Sequence, residues 1–179
     1  MGGVSLPHDG DHVERVKKLA LFIAEREGGD IEIIRIAAEL HDIARGEENH
    51  AIRGAEIARK ILEERGYSED FVERVCHCIE AHSFSGGIKP KTLEAKILSD
   101  ADKLDAIGLI GVARAFMYSG EKGRDIKSTL NHFEEKLLNL RNLMYTNTAR
   151  KIAEIRHKKL ESFYLEILSE LDMGDLDDS

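Results

Sequence analysis

No six consecutive residues of this chain alternate cleanly between apolar and polar side chains, and its β-branched residues are scattered. A half-buried strand needs that alternation, so the chain has little from which to build a sheet. Helix formers (Ala, Leu, Glu, Lys, Arg and Ile) dominate, and only two prolines interrupt them. The expected fold is all-α. With 179 residues, 42% of them hydrophobic, the chain suffices for one domain with a full core.

Apolar periodicity and stop signals divide the chain. A first helix is expected after Asp11 as N-cap, with Val13, Val16, Ala20 and Ile23 inward and EGGD at 27–30 ending it. Asp30 caps a second, with Ile34, Ala37, Ala38 and His41 on one face. A third covers about 49–65 and stops at Gly66, and a fourth, opened by Ser68, covers about 69–82. SFSGGIKPK reads as a loop, and a fifth helix as running from Leu93 to Ser119. After the loop SGEKGRD, residues 126–172 read as one or two long helices with heptad-like Leu130, Leu137, Leu140 and Met144, and GDLDDS as a frayed tail. The whole is expected to be one domain, with a functional core at about 8–120 and a C-terminal helical part at about 125–172.

The net charge of −8 disfavours a broad nucleic-acid-binding face, which needs clustered Lys and Arg. A small anionic ligand remains compatible, because a bound cation can dominate the local field. No apolar run approaches 18 residues, and two cysteines make no disulfide framework, so a cytoplasmic protein is expected.

Residues three or four apart share a helix face. By that rule His12 falls with Val16, His41 with Ala37 and Ala38, Asp42 with Ala38, and His50 with Gly54 and Ile57. Leu98, Ala101, Asp102 and Asp105 share one face, and His82 follows Ile79 at the mouth of the SFSGG loop. Burying carboxylates without partners costs several kcal/mol. Helices that each aim a His or Asp at one centre call for a divalent metal, whose standard ligands these are. A satisfied core histidine, or an Asp102 or Asp105 paired with Arg114, is the bland alternative for each residue alone. VCHCIEAH imitates a zinc set, yet successive helical residues diverge by about 100°, so Cys76, His77 and Cys78 cannot converge. Cys76 reads as a small hydrophobe and His77 as solvated.

His12 in HDGDHVERV, adjacent His41 and Asp42 in AAELHDIAR, and Asp102 in SDADKLDAIG resemble the HD-domain metal-dependent phosphohydrolase superfamily. HSFSGG, LEAKILSDADKLDAIG and NHFEEKL resemble its small single-domain bacterial and archaeal branch, which includes nucleotide pyrophosphohydrolases. The resemblance covers residues 8–165. It implies an all-helical bundle with a metal held by His12, His41, Asp42 and Asp102, and a second metal, where there is one, using His50 and His82 with Asp42 bridging. The ion is expected among Mn, Fe, Ni, Co, Zn and Mg. Two departures bear on substrate. Nucleoside monophosphatases of the superfamily often carry a Glu three residues after the motif Asp, where this chain has Arg45. Its cyclic-dinucleotide phosphodiesterases carry a Lys there and a Gly-Tyr-Pro motif that is absent here.

The expected activity is metal-assisted hydrolysis of a nucleotide or related phosphate ester, with nucleoside triphosphate pyrophosphohydrolysis foremost. Asp105, His50 and His82 are the candidate proton carriers. Arg45, Lys103 and Arg53 are the candidate phosphate-binding cations. The alternatives are a di-iron oxygenase on the same scaffold and a non-catalytic metal-containing ligand sensor. A homo-oligomer through the C-terminal helices is compatible with each. Phe84, Phe116, Tyr118 and Phe133 are left open between pocket lining and ordinary core.

Overall fold

The structure is a computed structural model. It describes residues 8–83 and 86–176, with the side chains of all of these but 8–10 and 175. The regular secondary structure of the described residues is all helical, without a strand. The helices are α1 (His8–Glu27), α2 (Ile31–Leu40), α3 (His50–Glu64), α4 (Glu69–His82), α5 (Leu93–Asp105), α6 (Gly108–Glu121), α7 (Ile126–Glu135) and α8 (Asn147–Leu171), with short 3₁₀ segments at Leu137–Leu143 and Gly174–Leu176. None is long and apolar enough to cross a membrane.

The polar signals around α2 and α4 act as expected. The Asp30 carboxylate accepts from the amides of Glu32 and Ile33, and the Ser68 hydroxyl accepts from the amide of Phe71, satisfying helix N–H groups that lack an intrahelical partner. Residue 11 lies inside α1, which starts at His8, so Asp11 is not the cap. Phe84, and residues 177–179 of the acidic tail, lie outside the described residues.

The expected helix from 93 to 119 is two helices. α5 ends at Asp105, and Gly108 opens α6 with φ +75°, a conformation that costs side-chain-bearing residues free energy. The tight turn brings α6 so close that a Cβ on Gly111 would be driven into the carbonyl of Ala106. Gly111→Ala is therefore expected to destabilise the fold by ~3 kcal/mol through overpacking against backbone. Thermal or urea unfolding of the variant checks this, and an unchanged midpoint would refute the close approach.

Two compact units divide the chain. The first runs to Asp102 and takes in Tyr145–Ala149; the second comprises Lys103–Met144 and the rest of the C-terminal segment from Arg150. This boundary falls inside α5.

In the first unit α1 packs on α2, and α4 on both α2 and α3. Val16, Ala20, Ile23, Ile33, Ile34, Ala58, Leu62, Val75 and Ile79 are buried there. Arg74 on α4 approaches Asp30 and Glu94 at 3.6 and 3.4 Å, while the Glu94 carboxylate accepts from the amide of Asp30, fastening the α1–α2 turn to α5.

In the second unit α7 packs on α6 and on the 3₁₀ segment. Phe133 is fully buried in an aromatic cluster with Phe116, Phe163 and Tyr164, at ring separations of 5.9 to 6.2 Å. Phe133 is thus ordinary core, and Phe116, half-buried, packs against it. Tyr118 is exposed, with Lys122 and Arg124 over its ring. Leu130, Leu137, Leu140 and Met144 are all buried. They serve this chain's own core.

Candidate metal centre

Five helices and one turn of the first unit bring histidines and carboxylates together. His12 comes from α1 and is buried. His41 is the C-cap of α2 and fully buried. Asp42 follows in a run of tight turns closed by Ile43 N to Leu40 O at 3.1 Å, Arg45 N to Asp42 O at 3.0 Å and Glu47 N to Ala44 O at 3.1 Å. His50 is the first residue of α3, and His82 the last of α4. Asp102 approaches from α5.

His12, His41 and Asp42 offer ligand atoms all within 4.8 Å of one another, and so do Asp42, His50 and His82. Asp42 belongs to both groups. The Nε2 atoms of His12 and His41 are 3.4 Å apart, and His12 Nε2 lies 3.5 Å from both Asp42 Oδ2 and Asp102 Oδ1. The His12 and His41 rings meet edge-on at 5.3 Å, those of His41 and His82 at 5.1 Å, and those of His50 and His82 at 5.6 Å.

The far nitrogens show what the near ones can do. Nδ1 of His41 donates to the carbonyl of Ala38 at 2.7 Å, and Nδ1 of His82 to that of Ile79 at 2.6 Å. A carbonyl only accepts, so the proton sits on Nδ1, and in the neutral rings Nε2 keeps its lone pair. This is the arrangement by which a backbone carbonyl orients a metal-ligating imidazole. Burial pushes the His82 pKa below the ordinary imidazole value, aided by neighbouring His41 and against the pull of Asp102 and Asp42, which favours the ligating form. Burial would raise the Asp102 carboxyl. The hydrogen bond from His12 and the fields of His82, His41 and His12 outweigh it and hold Asp102 well below the usual carboxylate range. Convergent imidazole lone pairs and carboxylate oxygens are a donor set for a divalent transition metal, and these residues could hold one.

The other candidate residues are placed differently. Arg45 Nη1 donates to Asp42 Oδ2 at 3.0 Å, so its guanidinium already touches a carboxylate common to both groups. Arg53 pairs with Glu56 at 2.6 Å and reaches Glu47 at 3.5 Å on the surface of α3. Lys103 and Asp105 are buried in the second unit. Arg114 Nη1 donates to Asp105 Oδ2 at 2.6 Å and to the Asp105 carbonyl at 3.2 Å, so the pairing considered as the bland alternative for Asp105 exists.

Cys76 and Cys78 join no metal-competent group among the described residues. Both thiols are buried, which pushes their pKa values up to about 11 and about 12, and Cys76 Sγ donates to the Ala55 carbonyl. His77 is not simply solvated. It is half-buried, and its Nε2 accepts from the amide of Lys91 at 3.0 Å, pinning the segment before α5.

Two supporting residues lie within SDADKLDAIG but are not among the expected site residues. The Ser99 hydroxyl donates to the carbonyl of His82 at 3.2 Å, one helical turn before Asp102, and so ties the end of α4 to α5. Asp100 is fully buried and accepts from Tyr145 N, Thr146 N and Thr146 Oγ1, each at 2.8 Å. Its place two residues before Asp102, off the face assigned to ligands, was the only available hint. Asparagine there turns an amide group against donors. Asp100→Asn is expected to cost ~2–4 kcal/mol, from a lost charged acceptor and a donor left unpaired. Denaturant unfolding measures it, and a loss under ~0.5 kcal/mol would mean these contacts contribute little.

The HD-domain family model matches residues 9–107, more than half of the chain, and covers His12, His41, Asp42, His50, His82 and Asp102. The chain belongs to the HD-domain family. Protein YpgQ of Bacillus subtilis is 39% identical over 166 residues, covering 87% of this chain and 80% of that protein. The crystal structure of YpgQ in complex with ADP matches with a TM-score of 0.76 at 38% identity, over 91% of this chain and 88% of the other. An HD-superfamily hydrolase from Bacillus thuringiensis matches with a TM-score of 0.75 at 39% identity, over 94% and 89%. The all-α expectation and the family resemblance both hold.

Proposed function

We propose that this HD-domain protein is a metal-dependent phosphohydrolase that acts on a nucleotide in the cytoplasm, and that its preferred reaction cleaves a nucleoside triphosphate to the monophosphate and pyrophosphate. The observation that carries the reading is the sharing of Asp42 between two groups of ligand atoms. A carboxylate placed between two imidazole-bearing sites suits a centre of one or two cations next to a phosphate chain. The ADP complex of YpgQ supports a nucleotide as the ligand class.

A divalent cation there would supply Lewis acidity and a water of lowered pKa. In this reading His12, His41, Asp42 and Asp102 hold the first cation. His50 and His82 hold a second, or meet the phosphate when only one is bound. Proton transfer falls to His50 or His82 ahead of Asp105, whose carboxylate is already committed to Arg114. Arg45 ranks ahead of Arg53 for offsetting phosphate charge, because it lies beside Asp42 while Arg53 is held by two glutamates. Lys103 completes the proposed cation set. Base and sugar selection are left to pocket shape.

The test is a hydrolysis screen across nucleotides with each divalent metal in turn, measuring phosphate and pyrophosphate separately. Metal-dependent release of pyrophosphate without orthophosphate is expected. Turnover untouched by chelation would remove the metal from the mechanism. A shared carboxylate also suits two irons, so oxygen uptake with Fe(II) and no phosphate release would favour the oxygenase instead.

A further inference from the structure

The turn that carries Asp42 ties Arg45 to it twice. Arg45 N donates to the Asp42 carbonyl at 3.0 Å, and this closure brings the side chain back to the carboxylate, where Nη1 donates to Oδ2 at 3.0 Å. The same Oδ2 lies 3.5 Å from Nε2 of His12. The Arg45 side chain is 40% exposed and that of Asp42 12%, so a positive charge stands at the mouth of the centre, where solvent screens it only in part.

The two ligand groups differ in the negative charge they can offer. His12, His41 and Asp42 have Asp102 beside them, with Oδ1 3.5 Å from His12 Nε2. Two carboxylates can match the charge of one divalent cation. The group of Asp42, His50 and His82 contains no carboxylate but the shared one. Its imidazoles supply lone pairs and no negative charge. With a cation at the first group, a second would meet a carboxylate already drawn on by that cation and by Arg45. Like charges a few ångströms apart repel even at the effective dielectric constant of a protein surface.

We infer that Arg45 takes the place of a second resident cation: its guanidinium, held on the shared carboxylate, restricts the centre to one tightly bound divalent ion and leaves His50 and His82 for the phosphate. This rests on reading these residues as a metal centre, and not on which phosphate compound is cleaved.

Mn²⁺ titrated into the chelator-stripped full chain, with free Mn²⁺ read by electron paramagnetic resonance, tests this without turnover. The parent is expected to bind one Mn²⁺ tightly and a second at least ~100-fold more weakly. Arg45→Gln keeps a hydrogen-bond donor for Asp42 and removes the charge, so it should tighten the second Mn²⁺ by ~10-fold or more. Arg45→Lys keeps the charge and should stay close to the parent. His50→Ala added to Arg45→Gln should abolish the gained site. Two equally tight Mn²⁺ in the parent, a second site indifferent to Arg45→Gln, an equal gain with Arg45→Lys, or a gained site that survives the loss of His50 would each overturn the proposal and leave the metal centre standing. Absence of any tightly bound Mn²⁺ would overturn the centre and the proposal with it.

Discussion

Asp42→Ala is expected to strip the protein of its metal and to lower metal-dependent hydrolysis by ~10³-fold or more, within the range by which positioned catalytic groups act. Among the described residues Asp42 is the one whose carboxylate lies within 4.8 Å of the ligand atoms of both groups, so its loss damages both at once. Loss of His50 should be milder, because it belongs to one group only. Asp42→Asn keeps the shape and removes the charge. It should lose most of the metal while unfolding within about 1 kcal/mol of the parent, since the side chain is not fully buried and its removal opens no core cavity. Metal content by elemental analysis, read beside a melting curve, decides the matter. A variant that retains a full complement of metal would mean the centre lies elsewhere.

His82→Ala should reduce hydrolysis by ~10²-fold or more, whereas His77→Ala, five residues earlier on the same helix, should leave it within a factor of a few. His82 is buried, with Nδ1 held by Ile79 and its ring against those of His41 and His50. His77 instead accepts the amide of Lys91. Its removal should cost about 1 kcal/mol, the ordinary worth of one hydrogen bond, and loosen the approach to α5 without touching the metal. Steady-state rates and denaturant midpoints measured on both variants separate these effects. Dependence of the metal on His77 and indifference to His82 would contradict the facing of α4.

The helical phase of α4 was readable in advance because Val72, Val75 and Ile79 recur at helical spacing and Ser68 caps the start. The same spacing placed His41 with Ala37 and Ala38, and all three are buried. Periodicity fails where the chain leaves one helix for another without losing its apolar pattern. Leu98, Ala101, Leu104 and Ile107 are all buried and continue toward α6, so nothing in their spacing marks the break. The break depends on a positive φ at Gly108 and on the approach of Gly111 to Ala106, and a glycine in sequence does not announce either. Spacing likewise shows that a face is apolar, not what covers it: Leu130, Leu137, Leu140 and Met144 are buried within this chain.

The amino-acid sequence by itself determined that this chain is all-α, that it belongs with HD-domain proteins, and that His12, His41, Asp42, His50, His82 and Asp102 stand on inward or loop-mouth positions. Those are local properties, set by propensity and by which residues share a helix face. Only the tertiary structure decided that Asp42 is common to two groups of ligand atoms, that Arg114 claims Asp105, and that Asp100 receives the turn at 145–146. Each of these depends on distances between residues on different helices or turns. Helical spacing fixes the direction in which a side chain leaves its own axis, and the packing of one helix on the next fixes what it meets.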